Sequence, residues 1–152
     1  MSSDATPSAP PGLELTERVL GAHGILELYS GVCDDECGFL LTIVRDRLDE
    51  THADPFIRVA DEILARRERI RIAHDWFAMT SYASLVRRAW TKWASARLKG
   101  LPDVHFLVRQ KLIAMGIATA GMGISLVGGP RMVTHWSRES FNRTAFERLQ
   151  SR

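Results

Sequence analysis

Apolar residues recur along this chain at spacings of three and four, and that period predicts helices. From 13 to 30, Leu15, Val19, Ala22, Leu26 and Tyr29 fall on one helical face, although Gly21 and Gly24 weaken the stretch. Ser30-Gly31 predicts a stop. Asp34 or Asp35 would then cap a second helix, with Cys37, Leu40, Leu41, Val44 and Leu48 as its stripe. Pro55 is placed to open a third helix, and no Gly or Pro follows until Gly100. Phe56, Val59, Ala60, Ile63, Leu64 and Ile70 would share the first face of that run, with a break near Thr80-Ser81. Gly100-Leu101-Pro102 ends it and Gly128-Gly129-Pro130 ends the next. Ser137 to Gln150 predicts a short closing helix aligned on Phe141, Ala145 and Leu149. No credible period-two strand emerges, so the expected fold class is all-α.

One segment stands apart. Leu112 to Gly129 reads LIAMGIATAGMGISLVGG and carries no charge. As a helix it would be about 27 Å long at 1.5 Å per residue, close to the roughly 30 Å hydrocarbon core of a bilayer. Arg109 and Lys111 flank one end and Trp136 lies beyond the other, as membrane-interface anchors would. Ala114, Ala118, Gly121, Ser125 and Gly128 form a small-residue stripe for helix packing in lipid. The expectation is a transmembrane helix. The other reading is a buried central helix of a soluble bundle.

The stretch before it, Tyr82 to Lys99, sets an apolar face of Tyr82, Val86, Ala89 and Trp93, widened by Leu85 and Trp90, against basic residues. Arg88, Trp90, Lys92 and Trp93 suit an interfacial helix, with rings at the acyl boundary and cations on anionic lipid headgroups. Charge strengthens this picture. Residues 1–75 hold fifteen acids and eight bases, whereas 76–152 hold three acids and twelve bases. The second half should therefore meet an anionic surface. No nucleic-acid reading motif is present, and nucleic acid is not favoured. Composition excludes two classes. With 45% apolar residues the chain is not wholly disordered, and two cysteines cannot make a disulfide framework.

Residues 97–123 also carry a family resemblance. Arg97-Leu98-Lys99-Gly100, a short polar link and then VHFLVRQKLIAMGIATAGMG from Val104 resemble the second half of the hypoxia-induced-gene domain of respiratory supercomplex factors. Arg109, Lys111 and Met115 stand at its three key positions, with Lys111 where the family has Arg and Met115 where it has Gln. The resemblance implies a small helical membrane protein, mitochondrial or bacterial, that associates with cytochrome c oxidase. It implies an accessory or assembly role, with Arg109 and Lys111 near the oxidase or headgroups.

The remaining candidates for chemistry are sparse. Cys33 and Cys37 bracket three acids, and a helix would place both sulfurs on one face, with His52 as a conceivable third metal ligand. A zinc site wants four ligands, so free thiols are the plainer reading. His74-Asp75 resembles the metal-binding dipeptide of helical phosphohydrolases but lacks supporting ligands, and His105 and His135 flank the uncharged segment. No phosphate loop, serine nucleophile motif or carboxylate pair is present. The expected organisation is a disordered arm at 1–12, an acidic helical region at 13–75, a basic interfacial helix at 76–101, a transmembrane helix at 102–130 and an amphipathic helix at 131–152. The expected function is a non-catalytic accessory subunit of a membrane complex, without cofactor or metal, in the mitochondrial inner membrane or a bacterial cytoplasmic membrane. The alternative is a soluble all-helical adaptor that binds an acidic partner or nucleic acid through its basic half.

Overall fold

In the computed structural model, which describes residues 9–149, six strands form one sheet in the order β1-β2-β3-β4-β5-β6. The first three are an antiparallel meander: β1 (Glu14–Leu20), β2 (Gly24–Asp34) and β3 (Cys37–Leu48). Helix α1 (Ala53–Arg66) then carries the chain to β4 (Arg69–Tyr82), α2 (Ser84–Ser95) to β5 (Asp103–Leu107), and α3 (Lys111–Leu126) to β6 (Arg131–His135). Strands β3 to β6 are mutually parallel. Helix α4 (Arg138–Ala145) follows.

The three parallel crossovers all step the same way across the sheet. Crossovers of one hand then gather α1, α2 and α3 on one face. The larger core lies there, joining Leu26, Leu28, Leu40 and Val44 to Phe56, Val86, Trp90, Ile113 and Ile117. The opposite face carries a smaller core of Cys33, Cys37, Phe39, Leu41 and Ile43 beneath Phe141 and Ala145 of α4.

The all-α expectation is therefore wrong, for identifiable reasons. Strand β3 is buried on both faces from Cys37 to Val44, so it reads as a continuous apolar run that a helical stripe also fits. The helices expected over 13–30 and from Asp34 onward are strands β1 to β3. The long run from Phe56 to Lys99 is α1, β4 and α2, and Thr80-Ser81 lies inside β4. The boundary expected between an acidic region ending at 75 and a basic one starting at 76 cuts through β4. Segment 102–130 holds β5 and α3, and 131–152 opens with β6 before α4. The arm expected at 1–12 lies outside the described residues as far as residue 8.

The transmembrane expectation is corrected as well. Among the described residues no helix is long and apolar enough to cross a membrane. The uncharged stretch forms the 16-residue α3, whose Ile113, Gly116, Ile117 and Ile124 are buried, with Ile113 and Ile117 in the core that this chain itself builds. The subunit of a membrane or respiratory complex rested on that span and goes with it. The all-helical adaptor goes with the all-α fold.

Candidate functional site: an aromatic chamber under two helices

A cavity of about 80 Å³ lies between α2, α3 and the sheet. Its floor is Ile72, His74 and Trp76 of β4, Val104 and Phe106 of β5 and Met132 of β6. These floor residues alternate along β4 because a strand sends successive side chains to opposite faces. Trp90 and Trp93 of α2 form one wall, Ile117, Ala120 and Ile124 of α3 another, and Phe56 of α1 closes the side.

The rings are packed on one another. Phe56 and Trp90 have centroids 4.2 Å apart, and His74 sits 4.8 Å from Trp76, 4.9 Å from Phe106 and 5.6 Å from Trp90. Burial among them holds the His74 imidazole at a pKa of about 3, so it is neutral at neutral pH. Its Nδ1 bonds Thr42 Oγ1 of the neighbouring β3 at 2.6 Å.

The three indole N–H groups differ. Trp90 Nε1 donates to the Ala53 carbonyl at 3.2 Å, and Trp93 Nε1 to the Asp61 carboxylate at 2.9 Å. Trp76 Nε1 is buried with no partner among the described residues.

Helix α3 is an unusual wall. It has no acidic residue, and its only charge is Lys111 at the start. Its outward side is apolar too, with Leu112 78%, Met122 70% and Leu126 86% exposed. Gly116 meets the Tyr82 hydroxyl so closely that any Cβ there would collide with it. Arg87, exposed on α2, lines the cavity and lies 6.0 Å above the Tyr82 ring.

The residues singled out from the sequence are scattered. Trp90 and Trp93 are buried in the chamber wall, while Arg88 and Lys92 point outward from α2. Arg109 lies 5.4 Å above the ring of Phe77, which Arg138 also approaches, at 5.7 Å. Lys111 and Trp136 are exposed. Of the small-residue stripe, Ala114 is partly buried against the core and Gly121 lies beside Met132, whereas Ala118, Ser125 and Gly128 are exposed. The packed face of α3 runs instead through Ile113, Gly116, Ile117 and Ile124.

The other candidates change meaning. His74 and Asp75 point to opposite faces of β4, so they are no ligand pair: His74 enters the chamber and Asp75 binds Arg138. His105 Nδ1 and His135 Nε2 are 2.9 Å apart across neighbouring strands, and His135 Nδ1 lies 2.8 Å from Ser140 Oγ. Cys33 and Cys37 end a hairpin rather than begin a helix, and both are free thiols. His52 lies in a separate turn, accepting from the Asp49 amide. Among the described residues no group of three or more His, Cys, Asp or Glu could hold a metal.

Phe56 and Trp76 have no part in the chemistry read from the sequence. The signal for Trp76 was the period-two run Ile70, Ile72, His74, Trp76, which lay inside a stretch read as helical.

No family model and no curated protein matches the chain. A solved structure does: an uncharacterised protein of the DUF3478 family from Shewanella loihica PV-4, described as having a SpoIIAA-like fold. The TM-score is 0.55 at 11% identity, over 91% of this chain and 97% of that one. The fold is therefore a mixed α/β fold like SpoIIAA.

Proposed function

We propose that the protein binds a small, mostly apolar molecule carrying one hydrogen-bond acceptor, held in the chamber between α2, α3 and the sheet. Trp76 carries this reading. A buried donor without a partner costs about 1–3 kcal/mol, and here it belongs to a residue on the floor of an apolar cavity. A water would need two to four polar partners to settle there, and apart from Arg87 and Thr91 on α2 the lining is rings and aliphatic groups. A ligand carbonyl or ether oxygen would meet the N–H while its apolar body displaced nothing polar.

Size sets the mode of entry. The cavity, about 80 Å³, is smaller than the roughly 150 Å³ apolar cavity that admits benzene. A ring-sized ligand therefore enters by shifting a wall. Helix α3 is the wall that moves at least cost, since Gly116, Gly121 and Gly123 within it each weaken a helix by about 1 kcal/mol.

Acetophenone and ethylbenzene test this, because they share a ring and nearly a shape while only the ketone accepts a hydrogen bond. Titrated against the whole chain and followed by tryptophan fluorescence, acetophenone should bind several-fold tighter. Ala120→Phe, which fills the chamber from α3, should abolish binding of both. Failure of both compounds to bind, or binding untouched by Ala120→Phe, would overturn the reading.

A further inference from the structure

On the face of the sheet opposite the chamber, the β2–β3 hairpin holds two thiols together. The register pairs Val32 with Gly38 and Asp34 with Cys37, leaving Cys33 as the extra residue of a bulge. Both sulfurs address one acceptor. Cys33 Sγ lies 3.9 Å and Cys37 Sγ 3.5 Å from the Gly38 carbonyl oxygen. Both sulfurs thus lie within 4 Å of the same oxygen atom.

The hairpin tip is fastened. Arg67 donates to the carbonyls of Asp34 and Asp35 at 3.2 and 3.0 Å, the Glu36 amide donates to Asp34 Oδ1 at 2.8 Å, and the Arg69 amide donates to the Glu36 carbonyl at 2.9 Å. The sulfurs are thereby kept as neighbours.

They are not equivalent. Coupling to Cys33 lowers the Cys37 thiol below its ordinary value against the pull of burial, with Arg71 and Arg69 adding positive charge. The same coupling, with burial, pushes the Cys33 thiol up. Cys37 is thus the more readily ionised of the two sulfurs and the first to react. Both side chains are buried, Cys37 more than Cys33, so only a small oxidant reaches them.

We infer that Cys33 and Cys37 form a reversible two-electron redox site that closes to a disulfide across the hairpin, with hydrogen peroxide or another small hydroperoxide as the oxidant. The Cys37 thiolate attacks one peroxide oxygen, the O–O bond breaks, and a proton and hydroxide leave as water, giving a sulfenic acid on Cys37. The Cys33 sulfur then attacks Cys37 Sγ and expels a second water. Two thiols and one peroxide become one disulfide and two waters. A dithiol reductant reverses the change by thiol exchange.

The test uses the full chain, reduced and then exposed to hydrogen peroxide, with intact mass and iodoacetamide labelling of the denatured chain as readouts. The expected product is a monomer lighter by two hydrogen atoms, with both cysteines blocked to iodoacetamide until dithiothreitol is added. In Cys33→Ser, Cys37 should stop at a sulfenic acid, read as one added oxygen in the intact mass. In Cys37→Ser, reaction with peroxide should slow at least tenfold. The wild-type mass decides the matter even if a variant fails to fold. Independent oxidation of the two sulfurs without loss of hydrogen would overturn the proposal, as would a disulfide between chains or a Cys37→Ser variant as reactive as wild type.

Discussion

The carboxylate of Asp75 on β4 is gripped by the guanidinium of Arg138, 63 residues later at the start of α4, through contacts of 2.8 and 3.3 Å. Asp75 is buried, while Arg138 is about one-third exposed. The pair fastens α4 to the face of the sheet opposite the chamber. A second tie runs parallel to it, through His105, His135 and Ser140.

Removing Arg138 leaves a buried carboxylate with only the Phe77 amide, at 3.3 Å, to answer it among the described residues. Breaking one side of a buried ion pair costs about 3–5 kcal/mol, and the exposure of Arg138 puts the expected loss at the lower end. Arg138→Ala should therefore lower stability in urea by about 3 kcal/mol. Asp75→Asn in the same background should restore part of that loss, since no charge is then stranded. An unchanged urea midpoint in Arg138→Ala would show that the pair does not hold α4.

Two histidines are kept neutral by the fold. The His74 pKa falls to about 3, and that of His135 also falls, in both cases chiefly through burial. Between the ordinary histidine value of 6.5 and about 3, the unfolded chain holds a proton that folded His74 does not. Stability is then full above about pH 6.5 and is lost as pH falls, with a limiting cost of about 1.4 kcal/mol per pH unit from one group. Unfolding at pH 5 should be easier than at pH 7.5 by about 2 kcal/mol from His74 alone, with His135 adding in the same direction. Asp103, held below its ordinary value of 3.8 by its bond with His105 and by Arg71, contributes only below that value. His74→Asn keeps a partner for Thr42 and should flatten the dependence between pH 7.5 and 5. An equal slope in that variant would remove His74 as its source.

Two glycines of α3 should respond oppositely to the same change. A Cβ on Gly116 runs into the Tyr82 hydroxyl, whereas one on Gly123 meets nothing within 4 Å. Gly123→Ala should stabilise the protein by up to about 1 kcal/mol through helix propensity alone. Gly116→Ala should destabilise it, because α3 or Tyr82 has to move. Thermal unfolding of the two variants separates these effects, and a common sign would mean that α3 does not rest on Tyr82.

How much of this was legible in the sequence depends on where each element sits. On α2 the apolar positions Val86, Trp90 and Trp93 kept their helical spacing and are the buried ones. Strand β4 announced itself through Ile70, Ile72, His74 and Trp76, but the absence of Gly and Pro up to Gly100 favoured one long helix. Strand β3 gave no such sign, since a strand buried on both faces loses its alternation. Helix α3 misled for the converse reason: its outer side carries Leu112, Met122 and Leu126, so no polar face marks it as one wall of a folded domain. The chamber draws side chains from three helices and four strands, and neither sequence spacing nor charge brings Phe56, Trp76 and Phe106 together. Only the crossover topology does.

The last prediction isolates the unpartnered indole. Trp76→Phe removes the N–H while keeping an aromatic ring on the chamber floor. In the empty protein this should leave stability unchanged or raise it slightly, because the lost burial of the larger ring is offset by relief of a stranded donor worth about 1–3 kcal/mol. In the ligand assay the same change should remove the preference for acetophenone over ethylbenzene and leave ethylbenzene binding within a factor of about three, since a net hydrogen bond contributes about 1 kcal/mol. The two outcomes together are informative. Loss of affinity for both compounds would mean that Trp76 acts through its bulk. A preference that survives the substitution would mean that another group meets the acceptor, and the orientation assigned to the ligand would be wrong.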